Sequence, residues 1–578
     1  MFIPSFKEWV IRPSDPEARR ALAERLGLHP ITAAVLVARG TLSGEEAKIL
    51  LSGEGSPPPD PFLLEGMESA VDRLRLAILN RERIVVYGDY DVDGTAATAL
   101  YLDFFKSYGH QAAFYIPHRM KEGYGLNRDA VRRIAAAGTS LLITVDCGTT
   151  SVEEIALAQL LGMDVIVTDH HLPGDTLPPA FAILNPCLPG SGYPFQGLCS
   201  AGLAYKVAAA YAQKYGQPTG SLEDHLDLVA LATIADIVSL HGENRWMILQ
   251  GLRRISDGRR PGIRALKAVS NSDGACGVGT IGFQLAPRIN AAGRLGDAAD
   301  AVRLLVTEDE QEAMALAEAL DLLNRERQQV EERVTAEAIE AIEAADSSAS
   351  DAVPTPIVLA SRSWHPGVVG IVASRLVERY HRPAVLIAVN DFGKGRGSAR
   401  SVPGVNICEG IAQCREHLES FGGHAAAAGL TLREDAIPRF RERLAQVLED
   451  ALRRTARRRL VCDAEAELFG LFPATVRELD RLGPFGMGNP EPTLVFRRLR
   501  ISSARLVGNN HLKLVVRPER GPVLTAFGYG MGALARLDTS DPVDLACSLE
   551  VNTWNGTEGV QLRLKDLRSS HYGGVMTC

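Results

Sequence analysis

Between Arg83 and Asp169 the chain alternates two hydrophobic patterns. Short unbroken apolar runs occur at 84–87, 112–116, 141–145 and 165–168. Between them, segments 95–108, 127–137 and 151–161 space their apolar residues as helices do. A strand that is apolar throughout is buried on both faces. The alternation therefore predicts a parallel sheet with helices on either side. Crossovers in such a sheet are right-handed, and ligands gather at the carboxyl ends of the strands.

Elsewhere the pattern changes. Residues 1–65 read as a helical preface broken at Pro30, with a Gly/Pro linker at 53–61. Residues 200–270 are mostly helical. The stretch 298–347 has no Pro or Gly and predicts one or two long connector helices. A flexible linker at 344–356 precedes a second alternating region, 357–450, with IVLA and AVLIAV as strands. From about 456 onward five short strands with turn signals fit a small barrel such as an OB-fold.

Composition narrows this picture little. A chain of 578 residues, 46% hydrophobic and 23% charged, suits several globular domains. The net charge of −8 argues only weakly against nucleic acid, because binding needs a basic stripe rather than a basic total. Nine scattered cysteines without CxxC pairs suit a reducing cytosol and argue against a disulfide framework or a structural zinc. The first residues lack the continuous apolar core of a signal peptide, and no apolar run is long enough to span a membrane. A cytoplasmic protein is expected.

The chemistry concentrates at three strand ends. Asp89, Asp91 and Asp93 alternate in Gly88-Asp-Tyr-Asp-Val-Asp-Gly94, directly after an apolar run. Three like charges this close repel one another unless a cation neutralises them. A capping Asp would account for one of them, not three. An EF-hand loop fails for want of a Glu at its twelfth position. Asp146 follows the third run, and His170 and His171 follow the fourth. Alone, each is as readily a cap or a core histidine. Together, at the ligand-binding end of one sheet, carboxylates and imidazole suit Mn²⁺ or Mg²⁺ better than zinc. Two such ions stabilise the attacking and leaving oxygens of phosphoryl transfer. Asp236 stands in the apolar stretch 230–240, where an unpaired carboxylate needs either a metal or the backbone amides of a helix end.

DYDVDG at 89–94, VDCG at 145–148, DHH at 169–171 and TIADIVSL at 233–240 resemble, in order and spacing, the motifs of the DHH phosphoesterases. DYDVDG and PRINAAGRLGDA (287–298) look like the RecJ branch of that superfamily. HPGVVGIVASRL (365–376), GKGRGSARS (393–401) and FGGHAAAAGL (421–430) resemble the DHHA1 substrate-binding domain. The resemblance implies an N-terminal helical segment (1–65), a DHH catalytic domain (66–275), connector helices (276–350), a DHHA1 domain (351–455) and an OB-fold (456–578). It implies Asp91, Asp93, Asp146, His170 and Asp236 as ligands of two ions. Asp89 would be an adjacent acidic group, and His171 a contact to the scissile phosphate.

A polyanion substrate also needs cations. Arg396, Ser398 and Arg400 offer donors on a Gly/Ser-rich segment that could equally be a surface turn. The resemblance favours Ser398 and Arg400 near a 5′-terminal phosphate. His424, on a close-packed turn after a glycine pair, is either a substrate contact or part of a structural glycine turn. Asn290 and Arg294 are read as lying on a Gly-containing loop that reaches the cleft. Arg119 is either a phosphate contact or a solvated charge. Arg453, Arg454, Arg457, Arg458, Arg459, Arg497, Arg498 and Arg500 could track a single strand or form a solvated face. The resemblance implies a 5′→3′ exonuclease on single-stranded DNA in repair and recombination, with a helicase and a single-strand-binding protein as partners. A DHH hydrolase of small phosphates and a non-catalytic DNA-binding scaffold are the alternatives. The long β-rich tail disfavours the first, and the intact acidic set disfavours the second.

Overall fold

The computed structural model describes residues 7–216, 222–346, 355–455, 458–519, 521–536, 541–554, 556–570 and 576–577. The described residues begin not with a helix but with strand β1 (Lys7–Ile11), followed by helices α1 (Pro16–Leu26), α2 (Pro30–Ala38) and α3 (Gly44–Ser52). Pro sits in the first turn of α1 and of α2, where its missing N–H costs nothing.

The first domain runs from α4 (Met67–Leu79) through β2 (Ile84–Gly88), α5 (Val92–Ser107), β3 (Ala113–Tyr115), α6 (Arg128–Ala136), β4 (Leu141–Val145), α7 (Val152–Leu160), β5 (Asp164–Thr168) and β6 (Ala182–Leu184). The five strands are all parallel, in the order β3-β2-β4-β5-β6. The short strand β6 is absent from the sequence reading. Its apolar run follows two prolines and precedes a third, Pro178, Pro179 and Pro186, so it reads as a loop. One face of the sheet packs on α4 and α5 and on the helical block α8 (Ser200–Tyr215), α9 (Leu226–Ala235), α10 (Gly242–Asp257) and α11 (Pro261–Val269). The other face packs on α6 and α7. The expected layering is therefore observed.

A short turn α12 (Val278–Thr280) and a π-helical turn (Ile281–Leu285) lead into α13 (Ala286–Leu295) and α14 (Ala299–Val306). Helix α15 (Glu310–Asp346) then runs for 37 residues. It does more than connect. Ala313, Ala317 and Leu320 belong to the core of the first domain, whereas Val334, Ala338 and Ile342 belong to that of the second. Most of the expected linker at 344–356 lies outside the described residues.

The second domain is a mixed sheet in the order β10-β11-β9-β8-β7. Its elements are β7 (Ile357–Ser361), α16 (Val369–Tyr380), β8 (Ala384–Val389), β9 (Lys394–Arg400), α17 (Ile407–Ala412), β10 (Ser420–His424), β11 (Ala427–Arg433) and α18 (Ile437–Arg454). Two expectations are corrected here. Arg396, Ser398 and Arg400 stand on a strand rather than a turn, so the period of two puts all three on one face. His424 likewise ends an exposed edge strand.

Strand β12 (Arg458–Cys462) pairs in parallel with β1. After β13 (Ala464–Glu465) and α19 (Pro473–Asp480) come β14 (Leu494–Val507), β15 (His511–Arg517), β16 (Leu524–Gly528), β17 (Val543–Trp554) and β18 (Thr557–Ser569). Pairing of β14 with both β15 and β17 closes the five strands into a barrel. The last strand, β19 (Met576–Thr577), adds to β1. Leu22, Ile31, Val35 and Leu36 sit in the barrel's own core. The N-terminal segment is thus part of the C-terminal domain, a packing that linear patterning cannot show. No helix among the described residues is long and apolar enough to cross a membrane.

Candidate metal centre and phosphate-binding cleft

The acidic loop forms because β2 ends at Gly88 and the next helix begins almost at once. Asp91 is the N-cap of α5, accepting from the Asp93 and Gly94 amides at 2.9 and 3.1 Å. The helix begins three residues earlier than its apolar pattern suggests, which places Asp93 in its first turn. Gly94 is required because a Cβ there would collide with the Asp89 backbone. The Asp93 carboxylate accepts from the Ser200 and Ala201 amides, at 2.7 and 2.9 Å, at the N-terminus of α8.

Asp146 leaves β4 with a φ of +62°, a left-handed conformation uncommon outside glycine and frequent where function fixes the backbone. This turns its carboxylate toward His170, 3.2 Å away, and Ser200 Oγ, also 3.2 Å away. His170 Nε2 lies 3.7 Å from Asp93 and 3.5 Å from Asp236. Asp236 caps the C-terminus of α9, but backbone amides do not satisfy its side chain. Its Oδ2 is buried without a hydrogen-bond partner, as is Oδ1 of Asp89. Three overlapping groups emerge, each with ligand atoms within 4.8 Å of one another. They are Asp89, Asp91 and Asp146; Asp93, His170 and Asp236; and Asp146, His170 and His171.

Electrostatics show what these carboxylates lack. Burial and the charge of Asp91 push Asp89 well above the usual carboxylate range. Burial and four surrounding aspartates do the same to Asp146. Burial, with Asp93 and Asp91, pushes Asp236 up to about 9. Burial pushes His170 down, toward the neutral imidazole that can ligate. Orphaned oxygens, raised carboxylates and a neutral imidazole fit hard divalent cations. Cys147 does not join them. It is buried on the opposite face of the sheet.

Asp169 was not among the expected site residues, although it opens the DHH triplet. It accepts from the amides of Thr149, His170 and His171 and bonds His171 Nδ1 at 2.7 Å. Burial opposes its ionisation, but the His171 hydrogen bond and charge and the Thr149 amide hold it well below the usual carboxylate range. Burial would depress His171 in turn, yet the bond to Asp169 raises it. The Tyr124 hydroxyl donates to the Asp146 carbonyl at 3.0 Å and lies 3.3 Å from His171 Nδ1. Neither Tyr124 nor Ser200 carried any local signal, since each reaches the site only through folding.

Beside the acidic loop, where the two domains meet, stands a set of guanidinium groups. Arg119 stacks over Tyr90, 4.9 Å from the ring centroid, and so is ordered rather than loosely solvated. Asn290 and Arg294 are on helix α13, not on a loop. Gly293 beside them must lack a Cβ to pass the Tyr90 carbonyl. Burial and the charges of Arg119, Arg327 and Arg400 push Arg294 down to about 10. Burial and Arg119 depress Arg400, which donates to Ser398 Oγ at 3.0 Å. Cations that depress one another form a site for an anion. Arg294 donates to Gly367 O and Arg396 to Met120 O, so the two domains touch at this place. Asn290 instead lines an adjoining apolar pocket, and His424 sits two strands from Arg400 on the exposed edge.

Four arginines of the other basic runs have partners within the protein. Arg453 pairs with Glu449, Arg459 with Glu8, and Arg497 with Glu465 and Asp544. Arg458 donates to the Glu378 and Arg379 carbonyls. Arg457 lies outside the described residues.

Known proteins resemble this chain in sequence and in fold. Residues 83–233 match the DHH family, N-terminal domain; residues 355–450 match the DHHA1 domain; and residues 462–566 match the RecJ OB domain. The single-stranded-DNA-specific exonuclease RecJ of Bacillus subtilis is 39% identical over 99% of this chain and 72% of its own length. That of Dickeya dadantii is 40% identical over 88% of this chain and 91% of its own. The crystal structure of Thermus thermophilus RecJ with Mn²⁺ superposes with a TM-score of 0.83 at 32% identity, covering 97% of this chain and 79% of that one. Its Mg²⁺ complex gives 0.78 at 30% identity, covering 97% and 78%. With both catalytic-type domains and the barrel matched at such identity, the chain belongs to the RecJ family of single-stranded-DNA-specific exonucleases.

Proposed function

We propose that this protein is a metal-dependent exonuclease that hydrolyses single-stranded DNA from its 5′ end and releases 5′-mononucleotides. The observation that carries the reading is the juxtaposition, where the two domains touch, of a carboxylate–imidazole cluster and guanidinium groups that have no carboxylate partner among the described residues. Asp91, Asp93, Asp146, His170 and Asp236 would hold two Mn²⁺ or Mg²⁺ ions, with Asp89 alongside. Bound there, the ions supply charge neutralisation, polarisation of the phosphodiester and activation of water.

The chain's own residues do the rest. Arg400, Ser398, Arg294 and Arg119 grip the 5′-terminal phosphate and set where the strand stops. Stopping it there places the first phosphodiester over the acidic cluster, which accounts for release of single nucleotides. His171, whose protonated form the bond to Asp169 favours, donates a hydrogen bond to the scissile phosphate and counters charge that builds there. Arg396 and His424 extend the contact along the second domain. A barrel beyond the cleft favours a long strand over a small phosphate. A helicase and a single-strand-binding protein are the partners such an enzyme would need in repair, since both supply its substrate.

The test is an oligonucleotide labelled at either end, incubated with Mn²⁺ beside an Asp146→Ala control. Early release of 5′-labelled mononucleotide, lost in the variant by at least about a thousandfold, is expected. Hydrolysis of pyrophosphate or a dinucleotide alone would transfer the site to a small-phosphate hydrolase. Blunt duplex cut as fast as single strand would remove the strand specificity.

A further inference from the structure

Beside the metal centre, toward the barrel, lies an apolar pocket of about 600 Å³. Two departures from regular backbone shape its wall. Ile237, directly after Asp236, has a φ of +58°, a region that β-branched residues avoid. The turn Ile281–Leu285 is π-helical, with the Ala286 amide bonded to the Ile281 carbonyl five residues back. Such turns are rare and collect at functional sites. Both irregularities aim apolar side chains at solvent: Phe283 is 86% exposed and Ile237 63%, and Met487, from the segment preceding β14, is 54% exposed. All three line the pocket. Strained or irregular backbone that leaves large apolar groups in water is retained for a ligand rather than for stability.

The pocket is continuous with surfaces already described. At one end Asn290 lies one helical turn before Arg294. At the other end is Arg563 of β18, whose guanidinium lies 5.6 Å over the Tyr529 ring. From Arg563 the strand register leads outward across the barrel to Phe527, Lys513 and Arg505, a row of cations around one aromatic. The charged side chains of the pocket, Glu491 and Arg563, face each other at 3.7 Å, so it offers no free cation to a phosphate.

We propose that this pocket takes the unstacked nucleobases that follow the scissile phosphodiester, as an apolar, sequence-tolerant contact, before the strand passes onto the barrel row. The inference rests on the exonuclease reading above. There the 5′ phosphate occupies the Arg400 side, leaving the barrel side to the following nucleotides. Base faces suit such a lining, since every base has an apolar π-face whatever its sequence.

The experiment uses the full chain, Mn²⁺ and single strands carrying one abasic residue, moved one position at a time from the second nucleotide. For the unmodified protein, KM should rise about tenfold when the abasic residue falls at one or two consecutive positions. Phe283→Ala should show that rise on the intact strand and be indifferent to abasic placement. Met487→Ala, at a second point on the wall, should do the same and separate lost contact from misfolding. An abasic penalty that is absent from the unmodified protein, or undiminished in both variants, overturns the proposal. If the unmodified protein digests no single strand at all, the exonuclease reading fails instead.

Discussion

Asp169 belongs to none of the three candidate metal groups, yet it sets two of the site's geometries. Its carboxylate gathers three backbone amides, fixing the turn after β5, and its bond to Nδ1 orients the His171 ring. It is a positioning residue. Asp169→Asn keeps the shape and removes the charge that favours protonated His171. A fall in kcat of about 10–100-fold is expected, with KM for the strand little changed. A raised KM with kcat intact would make His171 a ground-state binding group instead. The sequence displays Asp169 in plain view beside two histidines, but its role depends on Thr149, twenty residues away, and was not read from the motif. Asp89, Asp91, Asp93, Asp146, His170 and Asp236 were legible because like charges at strand ends have few stable explanations.

At the scale of elements, α15 couples two domains through a buried ionic knot. Glu331 is fully buried, and its carboxylate lies 2.6 Å from Arg327 of the same helix and 2.7 Å from Arg375 of α16. Arg327 also donates to Asn324 and bears on Arg294 in the cleft. Glu331→Gln would strand Arg327 as a buried, uncompensated cation. A loss of about 3–5 kcal/mol is expected, read as an earlier urea transition of the second domain. An unchanged midpoint would mean that water reaches Arg327 and that the knot is ornamental. The helix itself was legible from composition. Its division between two cores was not, because Ala and Leu recur along its length without marking which neighbour covers them.

Across the whole molecule, the two ends of the chain meet. Strand β1 lies between β12 and β19 in one parallel sheet. Trp9 is buried, donates to Asp566 at 2.7 Å and lies 4.2 Å from the Arg568 guanidinium. Helices α1–α3 close the barrel core. Trp9→Ala should therefore destabilise the barrel by about 3–5 kcal/mol, although it stands more than 480 residues before the first barrel strand. Hydrogen exchange in β14–β18 would register the loss. Unaltered protection there would return residues 1–65 to the status of a detachable preface.

The parallel sheet, the acidic cluster and the closing barrel can all be read along the chain. Each is written in local periodicity or in charges too close to coexist without a cation. Where those pieces meet is a matter of long-range packing. It gave the N-terminal helices to the barrel, drew Tyr124 and Ser200 to Asp146, and set Arg294 on a helix facing Gly367. It also tied Arg453, Arg459 and Arg497 of the arginine runs into ion pairs with Glu449, Glu8 and Glu465. Those outcomes depend on contacts between residues hundreds of positions apart, and hydrophobic burial enforces such contacts without leaving any periodic mark along the chain.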